Sequence, residues 1–417
     1  MKLIPVAVAL LALSVPALAL PILCNARDYG AKGDGRTNDV AAIQAAIDDC
    51  AKKGGGAVTL SGGVFLSSPI VLKSNITLNV EEGSELLGSP NHKDYAEITE
   101  FRARGRQALV SAKDAENLRI VGGGVIDGNG SSWWDEARNV KRAGDMGNEF
   151  TRPRGVVFDH CKHIVMENVT IRNSAMWQVV PYYSEDIVIR NVKVLAPSNS
   201  PNTDAIDPFS SKNVLIDHVY TDVGDDDIAI KSGMPGSEGG DEPSRDITIT
   251  DCIFAHGHGL SIGSEIAGGV QNVHAERIEF RETDNGIRIK SNRDRGGDIG
   301  NFSFNDIKMD GVKTAILITE YYPKIPDSDE ILPVSRLTPH FHDIHIENVK
   351  AINSKSAGTI VGLPESPILN LTLFNVQISA QTGMTIRNAA IRTKGFIVKP
   401  QSGIPVSIGA NVKGEVK

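Results

Sequence analysis

The sequence is poor in aromatic residues and has no excess of positive charge. Phe, Tyr and Trp make up 5% of the 417 residues, and the formal net charge is −8. Proteins that bind nucleic acids usually gather Lys and Arg on one face, and no such basic stripe occurs here. The composition therefore gives no indication of a nucleic-acid partner.

Long apolar runs are missing except at the N-terminus. Met1 and Lys2 precede an apolar run over residues 3–15, and Ala17-Leu18-Ala19 then matches an A-x-A cleavage site. The run is too short to span a membrane comfortably. Residues 1–19 are therefore predicted to be a signal peptide and residues 20–417 a single secreted domain without a membrane anchor.

Cysteine is also scarce, with four residues in the whole chain. An exported protein can oxidise them, and the sequence alone allows three complete pairings. We favour Cys24 with Cys50, because they bracket the N-terminal segment and Cys50 ends its predicted helix. Cys161 and Cys252 lie in apolar strand patterns and are interpreted as buried thiols.

A self-similar pattern covers most of the chain. Alternating apolar residues lead to a turn residue in fifth place, as in Ile187-Val188-Ile189-Arg190-Asn191. The spacing between main copies varies from 23 to 42 residues, which is typical of one structural unit per turn with loops of variable length. The eight main copies begin at Ile164, Ile187, Val214, Ile247, Val273, Phe302, Ile344 and Leu371, with weaker copies at Ile76 and Leu118.

Period-two alternation within each copy predicts short strands, and strands that stack turn upon turn form a parallel β-helix. The fifth residue is Asn in four of the eight main copies, and Asn tolerates left-handed backbone geometry. A helix over Val40 to Cys50 is predicted to cover the N-terminal end, and the segment from Gly395 to Gly409 the other end. A leucine-rich horseshoe and a propeller are less favoured, because neither signature is present.

Charged or titratable side chains recur at a similar distance on the C-terminal side of the repeat starts. Asp225 and His258 each lie 11 residues beyond a start, Asp204 lies 17 beyond, and Arg288 and Lys290 lie 15 and 17 beyond. Successive turns of a β-helix are about 4.7–4.9 Å apart. We therefore expect Asp225 and His258 to be in direct or water-bridged contact.

Three carboxyl groups are adjacent at Asp225, Asp226 and Asp227, and at least one of them should retain its proton if the site is partly desolvated. Taken singly, each acid is more often a solvated turn residue, and His258 a loop histidine. The set of motifs is harder to explain as surface decoration. Its members are Asn202-Thr203-Asp204, Gly224-Asp225-Asp226, Gly257-His258-Gly259 and Arg288-Ile289-Lys290.

These motifs, in this order within a β-helix repeat, resemble the polygalacturonase family of glycoside hydrolases, family 28. The stretch from Asp251 to Ser264 is similar to that family's signature around its active-site histidine, and Asp28-Tyr29-Gly30-Ala31 resembles the start of pectin-active β-helix enzymes. The resemblance covers most of the mature chain and implies an all-β, single-stranded, right-handed parallel β-helix. Asp227 departs from the pattern, because many members carry Cys there, and a usual disulfide is then missing.

The resemblance also implies residue roles. Asp225 is the expected general acid, Asp204 and Asp226 are expected to position and deprotonate a water, and His258 to support the acid. Arg288 and Lys290 are expected to hold the galacturonate carboxylate. An arginine can bind a carboxylate through two parallel hydrogen bonds, and a lysine binds it as a point charge. Asn202 and Tyr322 are also expected to bind substrate. Tyr321 is a weaker candidate for the role given to Tyr322.

The predicted function is secreted endo-polygalacturonase activity, an inverting hydrolysis of α-1,4 bonds in de-esterified pectin. Endo action is favoured because no large insertion separates Lys231 from His258. The alternatives are an exo-polygalacturonase, a pectate lyase and a non-catalytic polysaccharide-binding β-helix. We expect a monomer without metal or organic cofactor, and an acidic pH optimum, since the general acid must stay protonated.

Overall fold

The computed structural model describes residues 22–100, 103–142, 150–236 and 242–416. The predicted signal peptide, residues 1–19, lies outside the described residues. Within them the strands are almost all parallel and belong to three sheets that run along a common axis, together with two α-helices and two short 3-10 helices. This is the right-handed parallel β-helix expected from the repeats.

Most turns contribute one strand to each sheet, and the turn that begins at Ile187 reaches the third sheet through isolated bridges at Ile206 and Phe209. The first sheet contains Leu23–Asn25, Gly56–Leu60, Ile76–Val80, Glu116–Val121, Lys162–Glu167, Glu185–Arg190, Lys212–Asp217, Ser244–Thr250, Ala389–Lys394 and Val412–Lys413. The second contains Asp34–Asn38, Val64–Ser67, Glu85–Gly88, Val125–Asp127, Thr170–Arg172, Lys193–Leu195, Tyr220–Val223, Ile253–His256 and Ile397–Pro400. The third contains Ile70–Val71, Val110–Lys113, Val156–Asp159, Val179–Tyr182, Ile228–Ile230, Leu260–Ile262, Asn285–Lys290, Thr314–Thr319 and Val406–Ile408.

Four long strands bend from one sheet into the next. Val270–Arg281 and Asp298–Asp310 cross from the first sheet to the second, whereas His340–Val361 and Ile368–Arg387 pass through all three. Between the first and second sheets the pairing skips a single residue at each bend, whereas in His340–Val361 a register shift lies between Ala351 and Ser354. The C-terminal turns therefore form the most continuous part of the β-helix.

The predicted repeat starts pair directly with one another. Ile164 pairs with Ile187, Ile187 with Val214, and the pairing continues in the same register to Leu371. Leu118, one of the weaker copies, pairs with Ile164. All eight main starts are at most 2% exposed and form one apolar stack inside the β-helix. Full burial of such a side chain stabilises the fold by about 1.5–3 kcal/mol.

The fifth residue of every main copy has a left-handed backbone, with φ between 50° and 56°. The prediction made from the four Asn residues is therefore confirmed, and it extends to His218, Asp251, Arg277 and Asp306. A second bend was not predicted from the sequence. The residue just before each main start also has positive φ, between 49° and 60°, and is Asn, Asp or His in all eight turns.

Side-chain amides at these bends hydrogen-bond from turn to turn. Asn348 Nδ2 donates to Asn305 Oδ1 over 2.9 Å, and Asn375 Nδ2 donates to Asn348 Oδ1 over 2.7 Å. A similar chain links Asn301 to Asn272 and Asn272 to Asp246. The bends thus combine a favourable backbone residue with a polar link between turns.

The N-terminal end is covered by helix α1, Val40–Lys52, as the sequence predicts. Its buried face consists of Ile43, Ala46, Ile47 and Cys50. The disulfide between Cys24 and Cys50 is present, and Cys161 and Cys252 are buried free thiols, so the cysteine predictions are confirmed. The carboxylate of Asp39 precedes α1 but accepts from the backbone of Lys32 and Gly33 rather than capping the helix.

Two elements outside the β-helix were not predicted. An antiparallel hairpin joins Glu97–Glu100 to Ala103–Arg106, and helix α2 covers Ser131–Arg142. Both lie beside the outer face of the third sheet, where they border a cleft. None of the described helices is long and apolar enough to cross a membrane.

Candidate active site

The third sheet carries the predicted motifs on its outer face. Ile206, Ile228 and Leu260 are neighbouring interior residues of three successive turns. Asp204, Asp226 and His258 each lie two residues before one of them. The three side chains therefore come from matching positions of three adjacent turns, with His258 lining the cleft and Asp204 and Asp226 buried.

Asp225 and His258 are in contact, as predicted. His258 Nδ1 lies 2.9 Å from Asp225 Oδ1, and the His258 backbone N–H donates to the Asp225 carbonyl oxygen over 2.8 Å. The reason offered from the sequence is wrong by one residue, because the paired residues Ile228 and Leu260 lie 14 and 13 residues beyond their repeat starts. The hydrogen bond that His258 donates to Asp225 raises the pKa of His258 and outweighs the opposing effect of burial.

Asp226 is surrounded by donors. Ser261 Oγ donates to its Oδ1 over 2.7 Å, Arg288 Nη1 lies 3.1 Å from Oδ1, and Lys290 Nζ lies 3.1 Å from Oδ2. Burial opposes ionisation of this carboxyl group. Lys290 and Arg288, helped by Lys231, outweigh burial and hold the pKa of Asp226 below its usual range.

Asp204 has the opposite electrostatic environment. Burial and the neighbouring charges of Asp225 and Asp207 raise its pKa well above the usual value, against the attraction of Lys231. Lys231 Nζ lies 3.6 Å from Asp204 Oδ2. Asp207, buried behind the site, has its pKa raised to about 8 by burial, again against Lys231. Neighbouring carboxyl groups are thus pushed toward different protonation states.

Asp227 is buried beneath the histidine loop rather than in the cleft. Its Oδ1 accepts from Thr221 Oγ1 over 2.6 Å, and its Oδ2 accepts from the Gly259 N–H over 2.9 Å. Burial raises the pKa of Asp227 well above its usual value, despite both hydrogen bonds. A Cβ atom at Gly257 would lie 2.7 Å from Asp227 Oδ2, so the loop closes tightly over the carboxyl group. Asp227 thereby contacts the residues on both sides of His258, namely Gly257 and Gly259.

Tyr322 stands over the two predicted cations. Arg288 Cζ lies 5.7 Å and Lys290 Nζ 5.3 Å from its ring centroid. Tyr321 turns away, packs against a separate apolar cluster and donates a hydrogen bond to Asp329. The geometry thus favours Tyr322 over Tyr321 as the tyrosine beside the predicted cations.

Sequence reasoning missed a second group of cations around an aromatic ring. Arg154 Cζ lies 4.7 Å and Lys231 Nζ 4.9 Å from the centroid of the Trp177 ring. A signal for Lys231 was available, because it lies 17 residues beyond its repeat start, as Lys290 does. Arg154 and Trp177 belong to no repeated position and carried no such signal.

Asn202 is held at the cleft by another arginine that the sequence did not reveal. Arg152 Nη2 donates to Asn202 Oδ1 over 2.7 Å, and Nη1 donates to the carbonyl oxygens of Ala175 and Pro201. Burial lowers the pKa of Arg152 to about 10, against the attraction of Asp204. The position of Asn202 thus depends on a buried guanidinium group.

The cleft has a volume of about 810 Å³. Its lining includes Asp225, His258 and Asn202 together with residues of the hairpin and of α2. Four arginines contribute to its lining, namely Arg104, Arg138, Arg152 and Arg154. This lining favours an anionic ligand.

A cation is poorly suited to the centre of this site. Asp225, Asp226 and His258 bring possible ligand atoms within 4.8 Å of one another. However, Arg288 and Lys290 already neutralise Asp226 from 3.1 Å and would repel a metal ion there. The donor set fits proton transfer better than metal binding.

Carboxyl groups with divergent pKa values, set in a cationic cleft on a β-helix, form an arrangement suited to acid–base cleavage of an anionic polysaccharide. The family model for glycosyl hydrolases family 28 matches residues 56–395. The chain therefore belongs to this family and is a glycoside hydrolase, which confirms the resemblance seen in the sequence motifs.

Three comparisons illustrate the relationship. An endo-polygalacturonase of Pectobacterium carotovorum subsp. carotovorum is 31% identical over 369 residues, covering 84% of this chain and 86% of the relative. An exo-poly-alpha-D-galacturonosidase of Dickeya chrysanthemi is 30% identical over 397 residues, covering 82% and 64%. The crystal structure of a hyperthermoactive exopolygalacturonase from Thermotoga maritima aligns with a TM-score of 0.80 at 29% identity, covering 92% and 93%.

Proposed function

We propose that this protein is a polygalacturonase that hydrolyses α-1,4 bonds between galacturonate residues in de-esterified pectin. The observation that carries the proposal is the pair of cation–aromatic groups around the carboxyl cluster. Arg288 and Lys290 adjoin Tyr322, and Arg154 and Lys231 adjoin Trp177. A polymer with one carboxylate per sugar suits a cleft with cations in two separate groups.

In the proposed mechanism Asp225 is the general acid. Its side chain is 22% exposed and lines the cleft, whereas the side chains of Asp204 and Asp226 are 4% and 3% exposed. Asp225 is therefore best placed to protonate the glycosidic oxygen. His258 then donates a hydrogen bond to the carboxylate that remains.

Asp204 and Asp226 together hold the attacking water. The cations around Asp226 favour its ionised form, while burial and neighbouring acids favour a proton on Asp204. The two carboxyl groups then share one negative charge, which is sufficient for one general base. Attack by this water on the face opposite the leaving group inverts the anomeric carbon.

The carboxyl separation gives a reason to test the stereochemistry directly. Oxygens of Asp225 and Asp226 lie within 4.8 Å of each other, whereas inverting enzymes usually separate their carboxyl groups by roughly 6.5–9.5 Å. Proton NMR of the first product formed in D₂O should show the β-anomer if the enzyme inverts. Initial formation of the α-anomer would contradict inversion.

Endo action is the preferred mode. The cleft that contains Asp225 is also lined by Arg104, Arg138, Arg152 and Arg154, which supports binding of several uronate residues. Exo action is the second candidate, because the hairpin and α2, which lie outside the repeats, also line the cleft and could close one end of it. Either mode is compatible with the relatives, which include both kinds.

We further propose that residues 1–19 are a signal peptide, and that residues 20–417 act outside the cell as a monomeric catalytic domain on pectic polysaccharide. The disulfide between Cys24 and Cys50 supports export, because such bonds persist mainly in oxidising compartments. N-terminal sequencing of the protein released into the medium would test the cleavage site. Light scattering would test the monomer.

The decisive experiment follows viscosity, reducing ends and early products on polygalacturonic acid. A rapid fall in viscosity with mixed saturated oligomers is expected for endo action. Monomer or dimer from the start would mean exo action. Formation of unsaturated products that a chelator abolishes would mean a lyase. Binding of the polysaccharide without any product would mean a non-catalytic protein.

A further inference from the structure

A cluster of two histidines and one aspartate lies at the start of two paired strands, outside the cleft. Asp298 begins Asp298–Asp310, His340 begins His340–Val361, and the two residues are direct partners in the first sheet. His340 Nδ1 lies 3.1 Å and His342 Nε2 3.0 Å from the same oxygen, Asp298 Oδ1. The three possible ligand atoms lie within 4.8 Å of one another.

Both ring nitrogens of His342 face carboxylate oxygens. While its Nε2 faces Asp298, its Nδ1 lies 2.7 Å from Asp343 Oδ2. A neutral imidazole has one N–H group, so one of its nitrogens would direct a lone pair at a carboxylate oxygen. Either the ring takes a second proton, or a cation lies between the ring and one carboxylate.

The surroundings hold the ring in this orientation. Asn370 donates to Asp343 Oδ1, and Gln271 Nε2 donates to Asp298 Oδ2 over 2.9 Å. Gly300, the strand partner of His342, leaves space for the imidazole, because a Cβ atom there would lie 2.6 Å from His342 Cε1. With Asp343 binding Nδ1, the free Nε2 is directed toward Asp298. This is the usual arrangement of a metal-binding histidine with a supporting carboxylate.

We propose that Asp298, His340 and His342 bind a divalent transition-metal ion of the zinc type. Two imidazole nitrogens and one carboxylate oxygen suit Zn²⁺, Cu²⁺ or Ni²⁺ better than Mg²⁺ or Ca²⁺, which prefer oxygen ligands. Asp343 acts as the supporting carboxylate. The ion joins two successive turns of the β-helix. The chain between these turns forms a long excursion over residues 320–339, and Tyr322 lies at its start.

Protons and the metal compete for the same nitrogens. The groups that face the two imidazoles are the carboxylates of Asp298 and Asp343, and those carboxylates also accept from Gln271 and Asn370.

The test is calorimetric titration of the untagged full-length protein with ZnCl₂ at pH 7. We expect one strong site, an affinity at least about tenfold lower in His340→Gln and His342→Gln, and roughly a tenfold loss in Asp343→Asn. The matched control is His274→Gln, because His274 faces one carboxylate, Glu276, at 3.4 Å and belongs to no such cluster. Its affinity should equal that of the wild type.

A thermal measurement makes the result independent of poor folding in a variant. Zn²⁺ should raise the Tm of the wild type and His274→Gln in a saturable way, and should not raise that of folded His342→Gln. The absence of a strong site in the wild type overturns the proposal. Equal Zn²⁺ affinity in the wild type and both ligand variants overturns it as well.

Discussion

The bends between the first and second sheets and the cleft face of the third sheet follow the same rule, in which one position recurs in every turn. At the bends the recurring residue keeps one left-handed backbone conformation whatever its side chain, and amides link neighbouring turns, as those of Asn348 and Asn375 do. On the cleft face the same position changes from Asp204 to Asp226 to His258, and the charges are buried beside one another. Repetition thus stabilises the fold, whereas departure from repetition creates the site.

The largest effect should come from removing the most exposed acid of the cleft. Asp225→Asn should lower kcat by about 10²–10⁴-fold, because proton donation to the leaving group is lost. The Tm should stay close to that of the wild type, since the change leaves the buried stack intact. Substantial residual hydrolysis would contradict the role of Asp225.

The two cation–aromatic groups can be compared by matched substitutions. Arg154→Gln and Arg288→Gln should each lower kcat/KM on polygalacturonate by about 10–100-fold, since each removes a charge-assisted contact of roughly 1.5–3 kcal/mol. Lys324→Gln, an exposed cation of the neighbouring excursion, is the control and should have little effect. If only Arg288→Gln lowers kcat/KM, the group around Trp177 does not bind the substrate.

The buried charges of the cleft should also make stability depend on pH. The pKa of Asp207 is raised to about 8, so its proton stabilises the fold fully below the unfolded value near 4, and this contribution is lost as the pH rises toward 8. The free energy of unfolding should therefore fall over this interval, by at most about 1.4 kcal/mol per pH unit for this one group. Urea titrations of the wild type and Asp207→Asn should show a flatter dependence in the variant.

The smallest effect is expected at the bends. Asn348→Ala removes both amide hydrogen bonds of Asn348 and places Ala at φ 55°, which should cost about 1–2 kcal/mol of stability. Activity should not change, because the residue lies away from the cleft. The same urea titration measures the first effect and a reducing-end assay the second.

The sequence predicted the uniform features well and the irregular ones less well. The stack that contains Ile164 and Leu371, the left-handed fifth residue and the disulfide follow from local pattern. The hairpin at Glu97–Glu100 and helix α2 depend on loops that obey no period. The phase count for Asp225 and His258 was one residue off, because the turns approach the third sheet through loops of different length.

The site shows the same limit. Lys231 shares its distance from the repeat start with Lys290, so a complete phase count of charged residues would have revealed it. Arg154 and Trp177 are distant from Lys231 in the sequence and come close to it only in the folded chain. No local sequence pattern indicates this contact. The roles assigned to Asp204, Asp225 and Asp226 stay predictions until the variants are measured.

The constant spacing between the first two sheets bears on how such an enzyme can change over time. Thr170, Lys193, Tyr220 and Ile253 each begin pairing in the second sheet six residues beyond a repeat start, although the turns themselves differ in length. Among the eight main turns, length changes are therefore confined to the segments that lead into and out of the third sheet, the sheet that carries the cleft, whereas in an earlier turn Val125 lies seven residues beyond Leu118. A gene could lengthen or exchange these segments one turn at a time, so new polysaccharide preferences can arise without redesign of the scaffold.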